Sequence, residues 1–347
     1  MKKLIFISIV LVSSLMANNV QAQSSVSDGE SALVYSLPKT VFNIEIQTEK
    51  VTQKPGIFYR YSERYLATNK VVTEEKTTYK LKRIIVKQTA IQDPNRTYSF
   101  EPNNNSKNCS LTLNSEGILC GVNVNGPKVL STSADGDTLV TDNVGSDDLL
   151  PLGEEYMMAG SEAKLAEGVA KQIYHIRESR ISLLTADVDK LPADGESFKT
   201  MLNGLNKLES KLTELFVGKK IIEIQTQTIA ITPSAPMTNE ILFRLSELKG
   251  IVSSSDLSGV PYYINIIPSV SLASSNNSKL KNSDTSLYYV LPVSTQISIN
   301  DGINTMYNNT FFVPQFGKIV SIPESIFKQP NLKIHIDPQT GRLLSVE

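Results

Sequence analysis

A chain of 347 residues with 34 basic and 35 acidic side chains carries a formal net charge of −1, and no long basic run breaks that balance. Nucleic acid and anionic membrane surfaces are poor partners for such a chain. Its length allows two domains with a further element between them, and the lack of tryptophan weighs against a sugar-stacking cleft.

The N-terminus, MKKLIFISIVLVSSLMANNVQA, sets Lys2 and Lys3 before an apolar run from Leu4 to Leu15 and closes on Val20-Gln21-Ala22. A basic start, a short apolar stretch and small residues at the cleavage positions describe a secretory signal peptide over residues 1–22. The apolar run is too short to span a bilayer, and no cysteine follows it to carry a lipid. The expected location is the periplasm, the outer-membrane surface or the medium, with no transmembrane segment in the mature chain.

Residues 23–149 read as a β-rich N-terminal domain with one short helix. TVFNIEIQTEKV, TTYKLKRIIVKQTAI and RTYSFE are β-branched and aromatic, and a helix is expected from about Phe58 to Leu66. QDPN and EPNNNSKN carry the Pro, Asn and Asp of turns. The only cysteines lie in CSLTLNSEGILC, whose alternation around Asn-Ser-Glu-Gly predicts a hairpin. A two-residue loop places Cys109 opposite Cys120, and a bulge at Gly117 makes them diagonal neighbours. A disulfide between Cys109 and Cys120 is therefore expected in an exported chain, the alternative being two buried thiols. Asp135, Asp137, Asp142, Asp147 and Asp148 crowd an acidic, glycine-punctuated loop, but their spacing fits no EF-hand, so it reads as a solvated linker.

Residues 150–218 carry the one strong helical period. Ser161 is the expected N-cap of a helix whose Ala166, Val169, Ile173, Ile176 and Leu183 recur at helical steps. Asp194 caps a second, with Phe198, Met201, Leu205, Leu208, Leu212 and Leu215 spaced 3, 4, 3, 4, 3 and Gly218 as its stop. Joined by a short loop, the two predict an antiparallel helical hairpin. Within the first, KQIYHIRESR places His175 about 130° from the buried stripe, a surface position. Arg180 falls on the seam, where a partly buried arginine needs carboxylate partners. Arg177, Glu178, Arg180 and Asp187, with Asp189 and Asp194 in the loop, form a candidate structural or binding cluster. Tyr59, Tyr61 and Tyr65 add a candidate aromatic surface.

Residues 219–347 read as a C-terminal β-sandwich-like domain, with KKIIEIQTQTIAI, EILFRL, VPYYINII, SLYYVLPVSTQISI, NTFFVP, KIVSI, LKIHI and GRLLSV as strands. His335 alternates with Ile334 and Ile336 and is expected to face solvent. The fold class is α+β, two β-rich domains joined by the hairpin. No Walker loop, G-x-G-x-x-G, G-x-S-x-G or H-E-x-x-H is present, so no catalytic residue, metal site or cofactor is assigned.

YSLPKT, GIFYRYSERYLA, the long run from LPLGEEYMMAG to TELFVGK, LKGIVSSSDLSGVPYYI and VPQFGKIVSIP together resemble the domain of unknown function 4831 family. The resemblance covers nearly the whole mature chain and implies an exported envelope protein of Bacteroidetes-type bacteria with no known activity. Arginine is usual in that family where His175 stands, so no site residue carries over. The expectation is a non-enzymatic binding or structural module for a protein or glycan partner. The alternative is a hydrolase using a carboxylate pair on a glycan or peptide, a chemistry with little local signature.

Overall fold

The computed structural model describes residues 33–100, 109–126, 154, 158, 160–187, 194–270 and 286–347. The signal peptide, the aspartate-rich linker and Asp189 lie outside them. The described chain is mostly strand with three α-helices, in the α+β class. One sheet has the order β2-β1-β5, formed by β1 (Leu33–Lys54), β2 (Lys76–Phe100) and β5 (Lys219–Ile231). A second runs β10-β9-β8-β6-β7, from β6 (Met237–Ser246), β7 (Gly250–Val252), β8 (Val260–Pro268), β9 (Leu287–Asn300) and β10 (Thr305–Ile322). The third, β12-β11-β4-β3, joins β3 (Leu111–Leu113) and β4 (Leu119–Val122) to β11 (Ile334–Ile336) and β12 (Leu343–Val346). All pairings between these strands are antiparallel.

The segment from Leu33 to Leu66 contributes to three hydrophobic cores in turn. Tyr35 and Leu37 lie in the first with Phe100, Leu119, Val290 and Ile334. Phe42, Ile44 and Ile46, one face of β1, lie in the second against Phe243, Tyr262, Ile264 and Ile297. All three are fully buried, each contributing roughly 1.5–3 kcal/mol relative to exposure. Phe58, just past β1, joins the third with Val169, Ile173, Leu212 and Phe216. Strands from both sides of the helical segment thus share one sheet and two cores.

The long strands absorb turn chemistry that the sequence reads as chain reversals. Pro38 pairs with Gln92 and Ser36 with Thr97, so QDPN is a wide bulge inside β2 and not a turn between two strands. Asp93 stabilises it locally, accepting the Asn95 N–H at 3.1 Å and lying 3.5 Å from the Arg96 guanidinium. NTFFVP and KIVSI likewise belong to one strand, β10, broken by a register shift between Val313 and Lys318.

The cysteine hairpin turns over three residues, Ser115 to Gly117, with Gly117 at φ 73°, and is offset in register. Asn114 closes the turn, its N–H donating to the Ile118 carbonyl and its side chain accepting from Glu116 and Ile118. Leu111 then pairs with Val122, which carries Cys109 toward Val124, four residues from Cys120 and on the order of 13 Å along the strand. A disulfide needs Cα atoms within about 7 Å. The expected bridge is therefore not formed: both cysteines are free, Cys120 buried and Cys109 half-buried.

α1 (Ser62–Leu66) follows a 3-10 turn at Tyr59–Tyr61, close to the expected short helix. α2 (Glu162–Leu184) and α3 (Gly195–Val217) begin at the expected caps, the Ser161 hydroxyl accepting from Lys164 and the Asp194 carboxylate from Ser197. Gly218 ends α3 at φ 85°, where a Cβ would stand 2.5 Å from the Lys54 carbonyl oxygen, so only glycine fits the turn into β5.

Candidate functional site

The open edge of β2 and the end of the five-stranded sheet enclose a cleft of about 580 Å³. Consecutive residues Tyr79 to Ile84 form one wall; Leu245, Glu247, Val260, Tyr262, Asp301 and Met306 form the other. Tyr79 sets the spacing between the walls. Its N–H donates to the Glu247 carbonyl at 2.8 Å, and its ring lies about 3.0 Å from where a Cβ on Gly250 would be. Gly250, at φ 78°, thereby lets the β6–β7 turn close against the strand edge.

A second β-bulge shapes the cationic wall. Leu81 pairs with Thr48 and Arg83 with Gln47, leaving Lys82 as the extra residue. The bulge breaks strict alternation, so Lys82 and Arg83 are both exposed. Arg83 is steadied by its Nε–H donating to Gln47 at 2.8 Å. Leu81, Ile84, Leu245 and Tyr262 give the cleft an apolar floor, with the Tyr262 ring stacked on Phe243 at 4.6 Å.

Glu247 and Asp301 put two carboxylates in the same cleft. Asp301 accepts the backbone N–H groups of Asn304 at 2.7 Å and Ile303 at 2.9 Å, which hold its carboxyl below the usual range. Burial raises the Tyr262 phenol, and the neighbouring Asp301 charge raises it further. A general acid needs a carboxyl raised toward neutrality, the opposite of the Asp301 environment. Hydrogen-bonded into its turn, Asp301 is a fixed anion beside a neutral tyrosine.

The cluster read from KQIYHIRESR is assembled differently from expectation. Arg177 Nε donates to Glu209 Oε1 at 2.7 Å, while Arg180 Nη1 donates to Glu209 Oε2 and, at 2.9 Å, to Asn206. The carboxylate partner is thus Glu209 on α3, one turn from the apolar seam and unmarked by any motif. Glu178 and Asp187 are exposed, and Asp194 serves its own helix as cap. His175 is exposed too.

The three tyrosines are all partly exposed and engaged by their neighbours. Tyr65 donates to the Ala163 carbonyl at 3.3 Å and its own carbonyl accepts from Tyr174 at 2.8 Å, tying α1 to α2. Tyr61 stands against Tyr65 at 6.2 Å, and Arg60 lies over the ring of Tyr59. His335 is only partly exposed: it is paired between Gly121 and Ser345, and its Nδ1 is buried without a hydrogen-bond partner. A histidine between two core isoleucines faces solvent only if its strand's other face is bare, and here that face is half covered. Among the described residues no group of His, Cys, Asp and Glu could hold a metal ion, and no helix is long and apolar enough to cross a membrane.

The sequence model of the family described as Domain of unknown function (DUF4831) matches residues 31–344. The chain belongs to this family. No curated protein and no solved structure matches it. The DUF4831 match takes in both walls of the cleft, the three sheets and the Arg177–Glu209–Arg180 cluster.

Proposed function

We propose that this DUF4831 protein is an exported, non-enzymatic binding module whose cleft between Tyr79–Ile84 and Val260–Tyr262 receives an extended segment of a partner protein. The observation that carries the reading is the open β2 edge along an apolar floor. An extended chain gains main-chain hydrogen bonds from such an edge and side-chain burial from such a floor. Lys82 and Arg83 on one side and Glu247 and Asp301 on the other would set its direction. The basic, short-apolar N-terminus supports export to the envelope or the medium.

In this reading α2 and α3 are an antiparallel helical hairpin that braces the far end of the β1–β2 ribbon through Phe58, leaving partner contact to the β-rich parts on either side. Arg177 and Arg180 are then structural, spanning the two helices through Glu209. A carboxylate hydrolase has one observation in its favour, the presence of Glu247 and Asp301 in one cleft. The environment of Asp301 makes it at most the ionised member of such a pair.

The test is capture from the native cell envelope with the wild-type protein and with Val260→Lys/Met306→Lys. Both side chains line the cleft and are at least 39% exposed, so the variant should fold normally. A partner retained by wild type and lost by the variant supports the reading. Equal capture by both proteins, or glycan turnover that stops in Asp301→Asn, overturns it.

A further inference from the structure

Among the described residues β5 is an unprotected sheet edge. Among the described strands it pairs with β1 alone, in an unbroken register from Phe42 opposite Ile231 to Lys54 opposite Lys219. Natural edge strands are blunted by prolines, bulges, charges, short length or a covering element. Elsewhere this molecule uses those devices: β3, β7 and β12 are short, β10 carries a bulge, and β2 is broken by bulges at Lys82 and at Asp93–Arg96. Among the described residues β5 has none of them from Ile221 to Ile231. Its one charge there, Glu223, is already paired with Lys50 across the sheet at 2.9 Å, and Ile222 is 53% exposed.

We propose that the occupant of this edge is β5 of a second copy, paired antiparallel about a two-fold axis at Thr226. That centre lets the whole of Ile221–Ile231 pair with itself. Ile221 then faces Ile231, Ile222 faces Ala230, Gln225 faces Gln227, and Thr226 faces its own counterpart. β-branched and Thr–Thr pairs stabilise antiparallel neighbours, whereas like charges directly opposite destabilise them. No like charges meet in this register: Glu223 faces Ile229, and Lys219 and Lys220 project beyond the paired segment. An axis at Glu223 would instead oppose two carboxylates. The dimer is isologous, as a two-fold contact requires. It makes one continuous sheet from β2 of one copy to β2 of the other, with the two clefts at its opposite ends and both free.

Sedimentation velocity over a concentration series tests this with wild type, Thr226→Lys and Thr226→Glu. The Thr226 side chain is exposed, so neither change disturbs the fold of one copy. Wild type should dimerise. Each variant alone should be monomeric at concentrations where wild type is paired, because the axis sets two like charges face to face. An equimolar mixture of the two variants should regain the dimer, since lysine then faces glutamate. A monomeric wild type, a dimer that survives either single substitution, or a mixture that stays monomeric overturns the proposal.

Discussion

The side-chain amide of Gln315 hydrogen-bonds both backbone groups of Thr40: its Oε1 accepts the Thr40 N–H at 3.0 Å and its Nε2 donates to the Thr40 carbonyl at 2.6 Å. β5 reaches only as far as Phe42, so at Thr40 the central strand has no neighbour on that side. The amide of Gln315 substitutes for the missing strand. Arg96, from the QDPN bulge, donates to the carbonyls of Pro314 and Gln315 and fixes the loop that delivers it. Arg96 from the β2 bulge thus anchors the β10 bulge, and Gln315 from the β10 bulge completes β1 at Thr40.

Removing that amide should be costly because Thr40 is fully buried. Gln315→Leu keeps the bulk but leaves a buried N–H and C=O unpaired, each costing about 1–3 kcal/mol. Urea unfolding should show a loss of about 2–4 kcal/mol, against about 0.5 kcal/mol or less for Gln296→Leu on the exposed face of β9. Equal midpoints for the two variants would mean that water satisfies Thr40 without Gln315.

Much of this was legible in the chain and some was not, for identifiable reasons. Ser161, Asp194 and Gly218 act locally, within one helical turn, so their residue types predict the helix ends. KKIIEIQTQTIAI became β5 without revision because nothing in it competes with a strand. QDPN has turn chemistry that a long strand can also use as a bulge, and only the partner strand decides between them. Cys109 and Cys120 depended on a register set by Asn114, two residues away from any simple hairpin rule. Glu209 lies among ordinary helix-surface residues, and the cleft is made by strands more than 150 positions apart, so no local pattern announces either.

The Glu209 carboxyl carries a pH-dependent share of stability. Burial pushes it up, but hydrogen bonds and charge from Arg177 and Arg180 outweigh burial and hold it below its usual value. A folded-state value below the unfolded one stabilises the protein above the unfolded carboxyl range, near about 4.3, and is lost as pH falls through the lower folded value. Glu209→Gln should therefore cost about 1–2 kcal/mol at neutral pH, between an exposed and a buried pair. Denaturant unfolding at a series of pH values should show that gap closing on acidification below about pH 4. A gap independent of pH would assign the loss to packing.

Two thiols should titrate in the unreduced protein once it is denatured. In the native state they should differ. Burial pushes the Cys120 thiol up to about 11, with the Asp337 charge adding to it, and the side chain is 1% exposed. Burial raises Cys109 as well, but its side chain is only half-buried. Because the thiolate is the reacting form, a thiol reagent should modify Cys109 first and Cys120 only on unfolding. Mass spectrometry of the alkylated peptides reads this directly; two unmodified cysteines under denaturing, non-reducing conditions would show a bridge.

The helical segment should be stabilised at one end only. Leu212 and Phe216 are buried against Val169, Ile173 and Phe58, whereas Leu205 and Leu208 are half covered and Met201, Ile181 and Leu184 are exposed. Deleting a side chain that is fully enclosed costs the transfer term and leaves a cavity, about 2–5 kcal/mol for leucine to alanine. Leu212→Ala should fall in that range. Leu205→Ala should cost less, because solvent and neighbours can fill the space it leaves. His175→Ala removes an exposed group and should stay within about 0.5 kcal/mol. Thermal or urea unfolding of the three variants should rank them Leu212, Leu205, His175. A His175 variant as damaging as Leu212 would place the imidazole inside a contact that α2 does not make, and would reopen KQIYHIRESR as a working site.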